Sequence, residues 1–74
     1  MIELLTTESC GGCTASKVTM RNLGIPFVEK RVEENPEMLS KAKESGVKNF
    51  PVFFNEGEPM FGGFYYEKIR LLKH

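Results

Sequence analysis

Two cysteines separated by two glycines, Cys10-Gly11-Gly12-Cys13, stand where a short apolar segment gives way to an amphipathic one. They are the only cysteines of the chain. Two thiols at this spacing can close a small ring, so the pair can cycle between dithiol and disulfide without unfolding the protein. Unpaired backbone N–H groups and the helix dipole favour the thiolate, which is the reactive form, at a helix start. The motif therefore predicts a redox site where a helix begins.

Capping and turn residues divide the rest of the chain. Gly24 predicts the end of the first helix, and Asn35-Pro36 predicts the start of the second, with Asn as the N-cap and Pro at the first helical position. The apolar patterns predict a strand over 1–6, a helix over 12–23, a strand over 27–32, a helix from 36 closed by Gly46, strands over 52–54 and 59–61, and a helix over 64–72.

This order predicts the fold class. The first three elements form a right-handed βαβ unit with parallel strands, and the hairpin adds antiparallel strands. The expected architecture is α/β, a minimal thioredoxin-like fold with a four-stranded mixed sheet and three helices. The side chains expected to face the core from the helices are Cys13, Val18, Met20, Leu23, Met38, Leu39, Ala42, Phe64, Ile69, Leu71 and Leu72, with Met60 as a further core filler.

Composition limits the possible partners and location. The 74 residues predict one domain, 1–74, and ten basic residues balance ten acidic ones. No basic stripe indicates nucleic-acid binding, and no apolar run predicts a signal peptide or a membrane span. We therefore expect a cytoplasmic, monomeric protein. In that reducing compartment, a lone cysteine pair favours catalysis over a structural disulfide.

Three motifs carry a family resemblance over essentially the whole chain. The run from Cys10 to Lys17 has the pattern C-x-x-C-x-A-[TS]-K, Asn49-Phe50-Pro51-Val52 has the form of a cis-proline loop, and Gly62-Gly63-Phe64 precedes a short terminal helix. The chain thereby resembles the glutaredoxins and, within them, the NrdH-redoxin type. That resemblance implies a thiol-disulfide oxidoreductase that supplies electrons to ribonucleotide reductase and is recharged by thioredoxin reductase.

The site residues follow from the motifs and the resemblance. Cys10, on the loop side of the helix start, is expected to be the nucleophile, and Cys13 the resolving thiol. Gly11 and Gly12 would let a partner backbone approach, although they are equally well explained as neutral spacers. The resemblance implies a cis peptide at Phe50–Pro51, which would aim the Phe50 backbone at the partner. It also assigns Gly62 and Gly63 to substrate binding.

The chain departs from the glutaredoxin pattern where glutathione contacts are expected. Thr7 stands where glutaredoxins place a lysine before the motif, and Phe64-Tyr65-Tyr66 replace polar residues after Gly-Gly. We therefore expect glutathione to act weakly if at all, although Lys43 or Lys48 could partly substitute. If Tyr65 or Phe61 is exposed beside Cys10, it would form an apolar docking rim for the partner.

Two alternatives to this interpretation stay open. One is a glutathione-dependent glutaredoxin that removes glutathione from mixed disulfides with the same Cys10. The other is an iron–sulfur carrier, for which the two thiols and His74 cannot complete four ligands within one chain, so that a dimer with glutathione would be needed. For the main interpretation we expect no cofactor and no metal.

Overall fold

The computed structural model describes residues 1–73, and His74 lies outside the described residues. Four strands and three helices follow one another along this part of the chain in the predicted order. Their bounds are β1 Ile2–Thr6, α1 Gly11–Leu23, β2 Phe27–Arg31, α2 Pro36–Glu44, β3 Val52–Asn55, β4 Glu58–Gly62 and α3 Tyr66–Arg70. A short 3₁₀ turn, Val32–Glu34, separates β2 from α2.

The four strands form one mixed sheet in the order β2-β1-β3-β4. β1 and β2 are parallel, whereas β1 pairs with β3, and β3 with β4, in antiparallel fashion. The tight turn of the β3–β4 hairpin has positive φ at Glu56 and Gly57, 52° and 82°, which is typical of two-residue hairpin turns. The predicted α/β fold, a minimal thioredoxin-like fold with a mixed sheet, is confirmed.

Helices cover both faces of the sheet. Because successive strand residues point to opposite faces, Leu4 and Leu5 serve two different cores, and both are fully buried. The core on the α1 and α3 side consists of Leu4, Met20, Ile25, Phe53 and Ile69. The core on the α2 side consists of Leu5, Ala42, Val52 and Phe54. Each fully buried Leu, Ile, Val, Met or Phe side chain contributes about 1.5–3 kcal/mol to the free energy of unfolding. So short a chain therefore needs the apolar contacts on both faces of the sheet.

Local backbone chemistry sets the ends of α1 and α2. Gly24 has φ 74° and its N–H donates to the Arg21 carbonyl at 3.1 Å, so the predicted stop is confirmed. Pro36 opens α2 as predicted, but the Asn35 side chain does not cap the helix. Its Nδ2 instead donates to the Arg31 carbonyl at 2.9 Å. Asn35 therefore fixes the connection from β2 to α2.

The predicted inward face of α1 is wrong at one position. Val18 is 48% exposed, whereas Ser16 is completely buried. The buried stripe of α1 consists of Cys13, Ser16 and Met20, at spacings of three and four residues. The sheet therefore meets a face of the helix that includes a hydroxyl.

The end of the chain also differs from the prediction. The last helix begins at Tyr66, later than expected, because Tyr65 has extended backbone angles of −131° and 103°. Phe64 thus precedes the helix and is exposed, and Leu71 is 73% exposed, so neither belongs to the core. Met60 is not a core filler either. It is the extra residue of a bulge in the edge strand β4, and its side chain is exposed.

Candidate active site

The two cysteines lie at the start of α1 and are joined by a disulfide bond, with their Cα atoms 5.2 Å apart. Cys10 occupies the N-cap position, and its Sγ accepts a hydrogen bond from the backbone N–H of Cys13 at 3.0 Å. A helix N-cap normally uses a side-chain oxygen for this purpose. Here the sulfur takes that place, so the first free N–H groups of the helix point at the redox centre, where they favour negative charge.

The two sulfurs differ in their access to solvent. Cys10 is partly exposed and Gly11, next to it, is exposed, whereas Cys13 is only 3% exposed. A partner molecule can therefore reach the Cys10 side of the disulfide, while the Cys13 side faces the sheet. Because of this difference in exposure, Cys10 can react with a partner molecule, whereas Cys13 is placed to react with Cys10.

A proline loop flanks the start of α1. The Phe50–Pro51 peptide is cis, as the family resemblance implied. A Cβ placed on Gly12 would lie 3.3 Å from the Phe50 carbonyl oxygen and 3.7 Å from the Phe64 Cβ. The missing side chain of Gly12 therefore allows α1 to approach the loop closely. Gly11 differs, because a Cβ there would meet no atom within 4 Å.

Gly62 and Gly63 hold this loop from the other side. A Cβ on Gly62 would overlap the Asn49 carbonyl oxygen, so the strand backbone passes directly against the loop. Gly63 has φ 95°, which favours glycine, and its N–H donates to the Pro51 carbonyl at 2.9 Å. The structure thus brings all the sequence-predicted site residues to one end of the sheet: Cys10, Gly11, Gly12, Cys13, Phe50, Pro51, Gly62 and Gly63.

A polar pocket of about 340 Å³ opens beside the disulfide. Its walls include both cysteines, the hydroxyls of Thr6, Thr7, Ser9 and Thr14, and the charged side chains of Lys17, Glu29 and Arg31. The sequence does not predict Glu29 near the site, because it does not give the register of β2 against β1. The pocket adds two charged residues of β2, Glu29 and Arg31, to the residues that the motifs place at the site.

Glu29 is the centre of a small hydrogen-bond network in this pocket. The buried Thr6 hydroxyl donates to its Oε2 at 2.8 Å, and the Lys17 ammonium contacts both carboxylate oxygens at 3.2 and 3.3 Å. The Thr6 hydrogen bond is the main cause of a lowered pKa of Glu29, and Lys17 adds to the effect, although partial burial opposes it. Lys17, one turn beyond Cys13, therefore has its charge balanced by Glu29.

We expect the contribution of Glu29 to stability to depend on pH. Because its pKa in the folded protein lies below the usual value of 4.5, the carboxylate stabilises the fold above that value. The contribution is lost as the pH falls from about 4.5 through the folded-state pKa. Glu29→Gln should therefore lower the free energy of unfolding at pH 7 by more than it does at pH 3, as measured by urea denaturation.

The control for this experiment is Glu58→Gln, which removes an exposed β4 carboxylate with no ion pair inside residues 1–73. It should show a smaller difference between pH 7 and pH 3. Equal pH dependence of the two variants would contradict the assignment of Glu29 as the stabilising carboxylate.

An apolar groove of about 370 Å³ lies on the α2 side of the proline loop. Phe50 and Val52 form part of it, together with Leu39, Ala42 and Val47. The two lysines that could partly replace glutathione contacts, Lys43 and Lys48, both line this groove.

The aromatic residues near the site divide into two groups. Phe61 stacks on the buried Phe53, with ring centroids 4.4 Å apart, so Phe61 belongs to the core. Phe64 and Tyr65 are exposed. The Lys68 ammonium lies 5.1 Å from the Tyr65 ring centroid. Phe64 is the exposed aromatic residue that lies next to the start of α1, because its Cβ is 3.7 Å from the position of a Cβ on Gly12.

The described residues contain neither a metal-binding cluster nor a membrane-spanning helix. Among residues 1–73, no three histidine, cysteine or acidic side chains lie close enough together to hold a metal ion. None of the helices in the same range has the length and apolar character needed to cross a bilayer.

Comparison with protein families identifies the chain. The Glutaredoxin family profile matches residues 2–60, which is most of its length. The chain belongs to the glutaredoxin family. With its paired cysteines joined at the start of α1, this glutaredoxin is a thiol-disulfide oxidoreductase. No curated protein sequence gives a significant match.

Solved structures agree with this assignment. The chain is similar to NrdH-redoxin from Escherichia coli, a glutaredoxin-like protein with a thioredoxin-like activity profile, at 28% identity and a TM-score of 0.83 over 96% of this chain and 92% of that one. The thioredoxin-like protein BC3987 is 22% identical, with a TM-score of 0.77 over 97% and 99%. A Malassezia sympodialis thioredoxin (Mala s 13) is 21% identical, with a TM-score of 0.63 over 95% and 68%. At these lower identities, the last two support the fold alone.

Proposed function

We propose that this glutaredoxin reduces protein disulfides through Cys10 and Cys13 in two steps. The Cys10 thiolate attacks one sulfur of the client disulfide, and a mixed disulfide forms as one client thiolate leaves and takes a proton. Cys13 then loses its proton and attacks the Cys10 sulfur, which releases the second client thiolate. Two electrons pass to the client and the Cys10–Cys13 disulfide forms. The unequal exposure of the two sulfurs is the observation that carries this assignment.

The surroundings of the disulfide support a protein client. In the proposal, the client segment lies along the Phe50–Pro51 backbone. Gly11 leaves room for it, while Gly12, Gly62 and Gly63 allow the loop to lie close to α1 and β4. The close approach of the Phe50 carbonyl to Gly12 supports this arrangement, because a client strand bonded to that loop would run beside Cys10. The exposed rings of Phe64 and Tyr65 would supply apolar contact area.

We propose that the client is ribonucleotide reductase and that thioredoxin reductase, working from NADPH, recharges the disulfide. The similarity to the Escherichia coli NrdH-redoxin supports this choice, because that protein combines a glutaredoxin-like structure with a thioredoxin-like activity profile. The proposal also takes the chain to act as one domain, as a monomer, and in the cytoplasm.

The lack of two expected glutathione contacts supports thioredoxin reductase over glutathione. Thr7, in the polar pocket, has no charge with which to bind a carboxylate, and the residues after Gly63 are aromatic. The glutathione-dependent alternative rests on Lys43 and Lys48, which line the apolar groove beside Phe50. A direct comparison of the two reductants separates these alternatives.

The test is NADPH-coupled reduction of a protein disulfide by the purified redoxin. One reaction contains thioredoxin reductase alone, and the other contains glutathione with glutathione reductase. We expect NADPH consumption that depends on the redoxin in the first reaction, at a rate at least about tenfold that of the second, which corresponds to about 1.4 kcal/mol. Cys10→Ser, which lacks the proposed nucleophile, gives the background rate for both reactions.

Other outcomes would redirect the proposal. Turnover only with glutathione would contradict it and favour the glutathione-dependent alternative. Turnover in neither reaction, together with a coloured, dimeric purified protein, would favour the iron–sulfur carrier.

Ribonucleotide reductase, as the proposed client, is tested separately by replacing the model disulfide with the oxidised reductase in the first reaction.

A further inference from the structure

One buried polar group takes no part in the mechanism described so far. Ser16 is 0% exposed and stands in the buried stripe of α1 between Cys13 and Met20. Its Oγ has no hydrogen-bond partner within residues 1–73. A buried hydroxyl left without a partner destabilises a protein, because it has lost its hydrogen bonds to water and gained none in return. A hydrogen bond that Ser16 makes only in the reduced protein would explain why a hydroxyl is present at this buried position.

The geometry of α1 indicates which group could become its partner. A helical serine often donates to the carbonyl four residues earlier, but no such bond to Gly12 is formed here. Helical side chains tilt towards the N-terminus, so Ser16 points back to the turn that contains Cys13. Residues three apart on a helix are neighbours, with Cβ atoms about 5–6 Å apart. The Cys13 sulfur, on the same stripe, is therefore the candidate acceptor, and no hydrogen bond joins the two groups in the disulfide form.

The redox state of Cys13 decides how well its sulfur can accept a hydrogen bond. In the structure this sulfur is bonded to Cys10 and is a weak acceptor. Reduction breaks the S–S bond with two electrons and two protons from the reductant, and the sulfur becomes a thiol that ionises when it resolves the mixed disulfide. A thiolate accepts a charge-assisted hydrogen bond, which is about twice as strong as a neutral one.

We propose that Ser16 is a positioning residue for Cys13, whose hydroxyl donates a hydrogen bond to the Cys13 sulfur once the disulfide is open. The hydroxyl is unsatisfied in the oxidised protein and satisfied in the reduced protein. It therefore favours reduction and holds the Cys13 thiolate for its attack on the Cys10 sulfur. This deepens the resolving role of Cys13 proposed above, but its effect on the redox equilibrium does not depend on the identity of the client.

The test is the redox equilibrium of Ser16→Ala with mixtures of reduced and oxidised dithiothreitol. Removing the hydroxyl stabilises the oxidised form and destabilises the reduced form, so both effects favour the disulfide. We expect the equilibrium constant for reduction to fall about 5- to 10-fold, and tenfold corresponds to a potential about 30 mV more negative for a two-electron couple. The fraction of reduced protein is read by thiol alkylation and mass spectrometry.

Two further variants separate this role from a general effect on the helix. Ser40→Ala removes an exposed hydroxyl from α2, where the gain in helix propensity is the same in both redox states, so its redox equilibrium should match the wild type. Ser16→Thr keeps a hydroxyl at the buried position and should restore at least half of the shift caused by Ser16→Ala. A redox equilibrium unchanged in Ser16→Ala would overturn the proposal.

A second measurement observes Cys13 directly. In a Cys10→Ser background, the remaining thiol is titrated by its thiolate absorbance, with and without Ser16→Ala. The proposal expects the midpoint of ionisation to move to higher pH when the hydroxyl is removed. An unchanged midpoint would overturn it, whereas a failure of Cys13 to release the client in turnover would contradict only the proposed function.

Discussion

Cys10→Ser should reduce turnover of a disulfide client to the uncatalysed background, whereas Cys13→Ser should trap the client in a mixed disulfide with Cys10. The physical reason is the unequal access of the two sulfurs. Cys10 is partly exposed at the N-cap of α1, and Cys13 is 3% exposed against the sheet. Without Cys10, no thiolate can reach the client. Without Cys13, the first exchange occurs but the second, intramolecular exchange cannot follow.

The measurement is non-reducing gel electrophoresis and mass spectrometry of each variant after incubation with an oxidised client. The Cys13→Ser sample should contain a covalent complex that dithiothreitol releases, and the Cys10→Ser sample should contain none. Wild-type protein serves as the control, since its Cys13 resolves the complex. If both variants formed the complex equally, or if only Cys10→Ser formed it, the assigned roles would be wrong.

The order of the elements was predictable because residues with strong local preferences mark their ends. Gly24 adopts φ 74° at the end of α1, and Pro36 opens α2, as their backbone chemistry requires. The consecutive apolar residues of β1 and β3 predict that both strands are buried. Such local signals determine the sequence of strands and helices, and the handedness rule for βαβ units then leaves few topologies.

The positions that failed depend on contacts that are distant in the sequence. A helical pattern alone does not reveal which stripe of α1 meets the sheet, so hydrophobicity predicts that Val18 is buried, whereas the buried residue is Ser16. The same holds at the end of the chain, where α3 is short and Leu71 is solvent-exposed. Hydrophobicity alone gives the wrong burial at both places, because single exposed apolar side chains are common on protein surfaces.

The candidate site was predictable to the extent that motifs specify it. The cysteines, the cis-proline and the paired glycines come from three motifs far apart in sequence, and the family resemblance placed them together. The network around Glu29 had no such signal. It depends on the parallel register of β1 and β2, which puts the Thr6 hydroxyl 2.8 Å from that carboxylate. A charged residue on an edge strand is otherwise expected to be solvated.

Gly62→Ala should be the most destabilising of the conservative glycine substitutions at the site. A Cβ on Gly62 would overlap the Asn49 carbonyl oxygen and a methyl of Val47, so either the loop or strand β4 must move. Overpacking of this kind destabilises a protein by about 1–3 kcal/mol. We expect a loss of about 3 kcal/mol in the free energy of unfolding, because one of the two groups is backbone, which cannot rotate away.

The matched control is Gly11→Ala, in which the new methyl meets no atom within 4 Å and the residue is helical. It should leave the free energy of unfolding unchanged or raise it by up to about 1 kcal/mol. Gly12→Ala should lie between the two, since its Cβ would stand 3.3 Å from the Phe50 carbonyl oxygen. Urea denaturation of the three oxidised variants measures this order.

The effect of Gly62→Ala on turnover tests whether the Phe50–Pro51 backbone binds the client. Asn49 directly precedes the Phe50–Pro51 peptide, so a methyl that displaces its carbonyl also displaces the backbone proposed to bind the client. Under conditions where the variant remains folded, its kcat/KM for the client should therefore fall while the Cys10 thiol still reacts normally with a small alkylating reagent. An equal loss of both reactivities would assign Gly62 to the integrity of the fold alone, and full turnover with a displaced loop would exclude Phe50–Pro51 from client binding.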